Sequence, residues 1–292
     1  MPQRALPLMS LEEKRVKTLA ENFSAAAANL AHDVTPKHVH RLRTTVRRIE
    51  SLTEYAHLDL GRKQEKALRC LAGLRKRAGK VRDLDVQTKL LDAIANTSTR
   101  QDRQALAEVL KRKRNRQAER LGTAIAEAQE SKLAVHIERV LGKADEALAL
   151  ATPTAPLIQA SQDLARLSAV FEVSSSTKAK VLHKIRIRIK KIRYLSELSE
   201  NTAEQEAFAA DLKATQDVLG DWHDWEQLTF TAEKQFADRV NCPLLVEVRA
   251  LFAAKQVAAT AAVSHLFSSH ASQQARKQPR SAQTPQALAQ RA

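Results

Sequence analysis

Apolar residues recur along this chain at intervals of three and four positions, the spacing of one face of an α-helix. Runs of β-branched or aromatic residues that alternate with polar ones, the pattern typical of strands, are missing. Proline and polar clusters divide the pattern into predicted helices at 10–32, 36–57, 62–78, 82–96, 100–149, 156–172, 177–200, 203–219, 222–240 and 244–268. The sequence therefore predicts an all-α fold.

Two prolines within residues 151–157 indicate a hinge, because they cannot both lie inside one helix. This hinge separates a predicted N-terminal half, 10–150, from a C-terminal half, 155–268. Residues 270–292 are rich in Ser, Gln, Pro and Arg, which predicts a disordered basic tail.

The two halves share two sequence motifs in the same order. His40–Ile49 matches His183–Ile192 in its histidine, apolar and basic positions at an offset of 143 (183 − 40). Gly79–Asp83 matches Gly220–Asp224 at an offset of 141 (220 − 79). Two ordered matches indicate an internal duplication.

Each copy of the first motif combines an apolar stripe with a row of basic side chains. The apolar stripe of the first copy is Val39, Leu42, Val46 and Ile49, which predicts a core-facing surface. The basic rows, called the cationic ridges below, are His40, Arg43 and Arg47 in the first copy and His183, Arg186 and Lys190 in the second, with Arg193 close by. Each ridge runs for roughly 10 Å along its helix, which suits a chain of anionic groups better than one phosphate.

These residues also have a purely structural interpretation. A single basic residue beside a core stripe is commonly just solvated. His40 and His183 have no carboxylate or second histidine three or four positions away on the same face, which favours structural histidines and predicts a protein without bound metal. Repetition of the ridges in register favours a functional role for them.

The glycine motif predicts a helix boundary, and the densest run of charges predicts solvated surface. Gly79 and Gly220 indicate a helix end followed by a new helix start, with Arg82 as a candidate anion contact. Residues 111–116 spread around the helix circumference, which predicts mostly solvated surface.

The charge of the chain indicates the class of its partner, and its cysteine content and apolar runs bear on the compartment. The 48 Lys and Arg residues exceed the 33 Asp and Glu residues, giving a formal net charge of +15 and indicating a polyanionic partner. Cys70 and Cys242 lack the spacing of a disulfide framework or a metal site. We expect a soluble cytoplasmic protein, since neither a signal-peptide pattern nor an uninterrupted bilayer-spanning apolar run is evident.

The ridge motif, His-x-x-Arg-x-x-x-(Arg/Lys)-(Arg/Lys), is followed in both copies by Gly-x-x-(Arg/His)-Asp. This arrangement resembles the CHAD family, the conserved-histidine α-helical domain, over residues 10–268. The resemblance implies two homologous four-helix bundles related by pseudo-twofold symmetry. It also implies a central basic cleft that binds inorganic polyphosphate, and an association with polyphosphate granules. The ExExK signature of a triphosphatase often joined to such domains is missing, so we expect the stand-alone form.

The resemblance also implies a set of polyphosphate contacts. These are His40, Arg43, Arg47, Arg48, Arg82, His183, Arg186, Lys190, Lys191 and Arg193. The first copy departs from the family pattern at Glu50, where a further basic residue is usual. Glu50 either reduces the charge of the first ridge or pairs with Arg47.

Two other classes of function remain as alternatives. The basic composition permits nucleic-acid binding, yet aromatic residues make up only 4% of the chain and offer few stacking surfaces. An enzyme would need a recognisable site, and the phosphate-loop, zinc-protease and serine-hydrolase motifs are missing. Asp83 and His223–Asp224 are too weakly specified to support a mechanism. We therefore expect a non-enzymatic polyphosphate-binding protein without a cofactor, with nucleic-acid binding as the alternative.

Overall fold

The computed structural model describes residues 11–150, 155–174, 178–239 and 241–277. Within these residues the chain is helical and contains no strand, which confirms the all-α prediction. The helices are α1 (Leu11–His32), α2 (Pro36–Tyr55), α3 (Arg62–Asp92), α4 (Arg100–Glu130), α5 (Leu133–Ala149), α6 (Ala155–Ser174), α7 (Ala179–Ser196), α8 (Ala203–Gln235) and α9 (Pro243–Lys277), with a short 3-10 turn at Thr97–Thr99.

Side-chain caps fix the start of two helices that carry motif residues. The Thr35 hydroxyl accepts a hydrogen bond from the His38 backbone N–H at 3.2 Å, and proline follows at the first helical position of α2. The Thr202 hydroxyl accepts one from the Gln205 N–H at 3.2 Å at the start of α8. Both starts agree with the predicted boundaries at 36 and 203.

The predicted helix breaks at Gly79 and Gly220 are wrong. Both glycines lie inside long helices, α3 and α8. Buried apolar residues continue on both sides of the first one, at Leu74, Val81 and Leu84. A glycine costs a helix interior only about 1 kcal/mol relative to alanine, so this packing outweighs the local preference.

Two other predicted boundaries also differ from the structure. The single helix predicted over 100–149 is two helices, because Lys132 adopts a positive φ of 53° and turns α5 back onto α1. Among the described residues, the first half therefore contains five α-helices and the second contains four. The last helix continues to Lys277, beyond the predicted start of the tail at 270. Residues 151–154 of the predicted hinge and 278–292 of the predicted tail lie outside the described residues.

Two of the three apolar cores belong to one half each. The first joins α1, α2 and α5 to the N-terminal part of α3 and the C-terminal part of α4. It contains the predicted apolar stripe of α2, whose members are all 0% exposed. Another core joins α6 and α7 to the N-terminal part of α8, through Trp222, and to the C-terminal part of α9, through Val263.

A middle core joins the two halves. It contains Leu91 and Leu106 from the first half together with Trp225, Leu228 and Val248 from the second. The halves therefore share apolar packing, and their division into two four-helix bundles stays a prediction. The predicted two-fold relation between them, in which residues 36–57 would superpose on 179–200, stays a prediction.

Helix α9 is long and apolar enough, from Pro243 to Ala275, to cross a membrane on length and composition alone. This differs from the expectation that no segment reaches that limit, because charged residues such as Arg249 interrupt the apolar run in the sequence. Leu244 lies in the middle core and Val263 in the core of the second half. Only 22% of the apolar window is buried, so α9 combines these core contacts with a largely exposed surface, and one such helix does not decide whether the chain contacts a membrane.

A core shared by both halves should make the protein unfold as one unit. Replacing Leu106 by Ala removes apolar contacts in the middle core and should cost about 2–5 kcal/mol of unfolding free energy. Urea denaturation followed by circular dichroism should show one transition, shifted to lower urea. Val257→Ala on the exposed face of α9 is the control and should shift it little. Two separated transitions in wild-type protein would contradict a shared core.

Candidate functional site

The two cationic ridges meet where four helices converge. Helix α2 packs against α7, and α3 packs against α8. Each ridge also faces the helix that carries the glycine motif of its own half, since α2 packs on α3 and α7 on α8. The side chains brought together, called the central cationic cluster below, are Arg43, Arg47, Arg186 and Lys190, with the carboxylates Asp83 and Asp224 among them.

Basic groups from both halves of the cluster act on one another. The pKa of Lys190 is lowered to about 6, first by burial and then by the positive charges of Arg186, Arg47 and Arg43. The pKa of Arg43 is lowered to about 10, again mainly by burial, with Arg47 and Arg186 contributing. These shifts require that the ridges of α2 and α7 lie close enough to repel each other.

Two carboxylates at matching positions of the repeat lie within the cluster. Burial raises the pKa of Asp224 to about 6 although Arg186 opposes the shift. Burial also raises the pKa of Asp83, against the effect of Arg43 and Arg186. The pKa of each carboxyl is thus lowered by basic groups of both halves, against the effect of burial.

The charges of the cluster are near one another without being paired. Among the residues that the structure describes, none of its basic groups has a carboxylate oxygen within 4.0 Å. The Nε atom of Arg186 is buried and has no hydrogen-bond partner in the same part of the chain. Buried donors are normally satisfied, so the cluster holds hydrogen-bonding capacity that the protein itself does not use.

Gly79 gives the Arg43 guanidinium the room it occupies. A Cβ atom at Gly79 would lie 2.6 Å from Nη1 of Arg43, closer than such contacts normally occur. At Gly220, the matching position of the second half, a Cβ atom would meet no described atom within 4 Å. The two glycines match in sequence, but only the first is required by a neighbouring side chain.

Arg48 and Lys191, two predicted polyphosphate contacts, lie in ion pairs that connect α2 to α7. Arg48 Nε lies 3.4 Å from Oε2 of Glu197, and Lys191 Nζ lies 2.7 Å from Oε1 of Glu54. Arg48 and Lys191 occupy matching positions at the repeat offset of 143 (191 − 48). Glu54 and Glu197 match at the same offset (197 − 54). The ion pairs therefore cross between the halves reciprocally, and neither basic group joins the unpaired cluster.

Arg193 is also held by neighbours. It donates to Gln216 Oε1 at 3.0 Å, forms a short ion pair with Glu197, and lies over the Tyr194 ring at 4.4 Å. These contacts anchor it on its own helix and on α8.

Glu50 does not pair with Arg47. Its carboxylate lies 2.7 Å from Nε of Arg75 on α3. Arg47 therefore keeps its charge in the cluster, because α3 supplies the partner of Glu50.

Arg82 and His40 lie beside the cluster on the first-half side. Burial lowers the pKa of His40, and the charges of Arg82 and Arg43 lower it further, which favours the neutral imidazole. Arg82 is half-buried and also acts on Asp224. The structure thus brings these two predicted contacts close to the unpaired cations.

The predicted solvated run at 111–116 is exposed except at one position. Arg114 is half-buried and donates to Asp85 Oδ1 at 3.0 Å and to the backbone carbonyl of Val34 at 2.5 Å. That arginine ties α4 to the rest of the first half, while the other charges of the run face solvent.

His183 lies beside two residues of α8 that sequence reasoning did not connect with it. The His183 and His223 rings are 5.2 Å apart, and Nδ1 of His223 lies 3.2 Å from Oε2 of Glu226. The pKa of His223 is lowered to about 3, first by burial and then by Arg186, so this imidazole is neutral.

The three side chains could hold a metal ion. One ligand atom from each of His183, His223 and Glu226 lies within 4.8 Å of the others, and two imidazoles with a carboxylate are a donor set that zinc accepts. Residue spacing within single helices gives no sign of this group as a whole, because His183 lies on α7 and the other two residues lie on α8. The three-residue spacing from His223 to Glu226 was the signal available.

We nevertheless expect protein purified without added ions to carry no stoichiometric metal, because Arg186 and Lys190 place positive charge beside these ligands. Elemental analysis of the wild type and of His183→Ala measures this, with His40→Ala as a control outside the group. Stoichiometric zinc or iron that is lost only in His183→Ala would contradict the expectation.

Comparison with known proteins agrees with this architecture. The structure resembles the crystal structure of the CHAD domain from the plant Ricinus communis, with a TM-score of 0.59, 19% sequence identity, and coverage of 95% of this chain and 92% of that chain. At this identity the likeness concerns the fold. No curated protein sequence matches this chain. The sequence model of the CHAD domain matches residues 17–233, most of the chain, and the chain therefore belongs to the CHAD domain family.

Proposed function

We propose that this protein binds inorganic polyphosphate through the central cationic cluster and acts as a binding protein rather than an enzyme. One observation carries the proposal: half-buried basic groups from both halves lie together without ion-pair partners among the described residues. The CHAD family is associated with polyphosphate binding in general, which agrees with this reading.

The electrostatics of the cluster favour an anionic chain. Buried charges without partners cost free energy, and like charges held together add to that cost. A ligand that carries a negative charge on every unit can offset several of these charges at once. Arg43, Arg47 and Arg186 can each hold phosphate oxygens with two parallel N–H groups, and Lys190 supplies a point charge.

The arrangement of the basic groups favours a chain over a single phosphate. Arg43 and Arg47 are one helical turn apart on α2, as Arg186 and Lys190 are on α7, so each pair spans roughly 6 Å. Two such pairs on packed helices offer contacts to several phosphates in a row.

The surroundings of the cluster favour polyphosphate over nucleic acid. Trp222 is 0% exposed and Trp225 is 6% exposed, so neither tryptophan can stack on a base. Tyr194 is buried as well. Binding would therefore rest on phosphate contacts, which a polyphosphate chain offers at a higher density than RNA.

Exchanging Arg43 and Arg186 together for Ala should leave the helical fold intact and weaken polyphosphate binding. Each charge-assisted contact is worth about 1.5–3 kcal/mol, so the loss should reach roughly 100-fold or more. The matched control, Lys111→Ala with Lys113→Ala, removes two exposed charges and should change affinity little. Binding of a polyphosphate of defined length is measured at one ionic strength, with circular dichroism as the folding control.

Equal losses in both double variants would indicate diffuse attraction and would refute the site. Competition with RNA in the same assay tests the alternative partner. RNA that displaces polyphosphate at equal phosphate concentration would favour a nucleic-acid-binding function instead.

Gly79→Ala should weaken polyphosphate binding by about tenfold or more without destabilising the protein, since the new Cβ displaces the Arg43 guanidinium. Gly220→Ala, where the added Cβ meets no described atom within 4 Å, should bind as the wild type does. Removing a helical glycine favours the folded state by about 0.5–1 kcal/mol, so thermal stability should not fall in the control. Titration calorimetry compares them, and identical affinities would show that Arg43 placement is unimportant.

Polyphosphate affinity should fall as the pH rises through about 6. A polyanion repels the Asp224 carboxylate and attracts the Lys190 ammonium, and both groups have a pKa of about 6 in the free protein. Binding therefore favours the protonated form of each group and takes up protons. Affinity measured between about pH 5 and about pH 8 checks this direction.

Two variants separate the contributions of these groups. Asp224→Asn removes the carboxylate, so it should bind more tightly above about pH 6 and show a flatter pH profile. Lys190→Arg keeps its charge at every pH used and should also flatten the profile. Affinity that rises with pH in the wild type would contradict the proton uptake.

A further inference from the structure

We propose that long polyphosphate chains extend from the central cationic cluster along the outer face of α3, and along this helix rather than its counterpart α8. The inference rests on the proposed function and adds a second, chain-length-dependent contact surface to it. This surface, called the α3 basic face below, consists of Arg62, Lys66, Arg69, Lys76, Arg77 and Lys80.

The α3 basic face is a stripe on one side of the helix, with a gap of about 10 Å between Arg69 and Lys76. At 100° per residue its members fall within an arc of about 100°. Lys80 lies 18 positions after Arg62 (80 − 62), so the stripe is about 27 Å long. All of its basic residues are exposed, and the buried positions Ala67, Leu71 and Leu74 lie on a different side of the helix. The basic groups therefore face solvent along a line.

The charges of this face are available to a ligand. Arg69 pairs with Glu65 at 3.4 Å, and both side chains are more than half exposed, so that pair is worth little. The other basic residues of the face have no carboxylate within 4.0 Å in the described part of the chain. A polyanion would neutralise them without first breaking a buried contact.

The C-terminal end of the face borders the central cationic cluster. Lys76 lies three residues before Gly79, and Lys80 lies three residues before Asp83, so each pair shares a patch of helix surface. Gly79 is the residue over which the Arg43 guanidinium lies. A chain held by Arg43 can therefore continue onto Lys80 and Lys76, which lie on the adjoining surface of α3.

The second half shows that the fold does not require these charges. Helices α3 and α8 begin at Arg62 and Ala203, which correspond at the offset of 141 found for the glycine motif (203 − 62). At that offset the basic face corresponds to Ala203, Ala207, Ala210, Asp217, Val218 and Asp221. The two aspartates pair with lysines of their own half, at 2.6 Å and 2.7 Å.

This difference gives the binding surface a direction. A chain leaving the cluster along α3 meets basic groups, whereas one leaving along α8 meets alanines and paired aspartates. Each basic group contacted should release counterions and add to the affinity. Long chains should therefore bind more tightly than chains that only span the cluster.

The test measures how tightly two matched triple variants bind a short and a long polyphosphate. The first variant, Arg69→Gln with Lys76→Gln and Lys80→Gln, removes three charges from the α3 basic face. The control, Lys111→Gln with Arg112→Gln and Lys113→Gln, removes three exposed charges from α4. Affinities for tripolyphosphate and for a long-chain polyphosphate are measured at several salt concentrations, with circular dichroism as the folding control.

The α3 variant should bind the long chain about tenfold or more weakly, with the slope of log affinity against log salt reduced by roughly 2–3. Its affinity for tripolyphosphate should stay within about twofold of the wild type, and the control should lose much less for either ligand. Equal long-chain losses in both variants, or no loss in the α3 variant, would overturn the inference. Tripolyphosphate binding that is also insensitive to Arg43→Ala with Arg186→Ala would instead refute the proposed function.

Discussion

Mutual repulsion among Arg43, Arg47, Arg186 and Lys190 is the constraint under which the two halves of this protein pack together. Its effect is clearest at Lys190, whose pKa is lowered to about 6 first by burial and then by the charges of the three arginines. In most proteins a nearby carboxylate would pair with each buried cation. Here Asp83 and the other carboxylate of the cluster moderate the charge without forming direct ion pairs among the described residues.

Apolar packing provides most of the free energy that offsets this repulsion. The reciprocal ion pairs between α2 and α7 help to align the helices, but their exposed side chains limit what each contributes. The middle core buries Leu106, Leu228 and Val248 completely and draws on both halves. Burying side chains of this kind is worth about 1.5–3 kcal/mol each, which is large compared with an exposed ion pair. The charged site thus depends on a core that lies beside it.

Features of the site that lie within one helix could be predicted from the sequence, whereas contacts between helices could not. The ridges could be found because their residues repeat in register on one helix, and the apolar stripe beside them is buried as predicted. The role of Gly79 could not be found in the sequence, since it depends on a guanidinium from another helix. The same holds for His183, whose neighbours His223 and Glu226 come from α8. Arg48 stands beside Arg47 in the motif, but Arg47 is half-buried in the cluster, whereas Arg48 is exposed and pairs with Glu197 at the end of α7.

The middle core has a consequence for how the two halves of this chain can differ. One half alone would expose its share of that core, and two identical halves could bury it by associating as separate subunits. A homodimer must carry every surface twice, because its subunits are identical. Once both units lie in one polypeptide, each surface can evolve alone. That freedom allows α3 to carry basic residues where α8 carries alanine and aspartate.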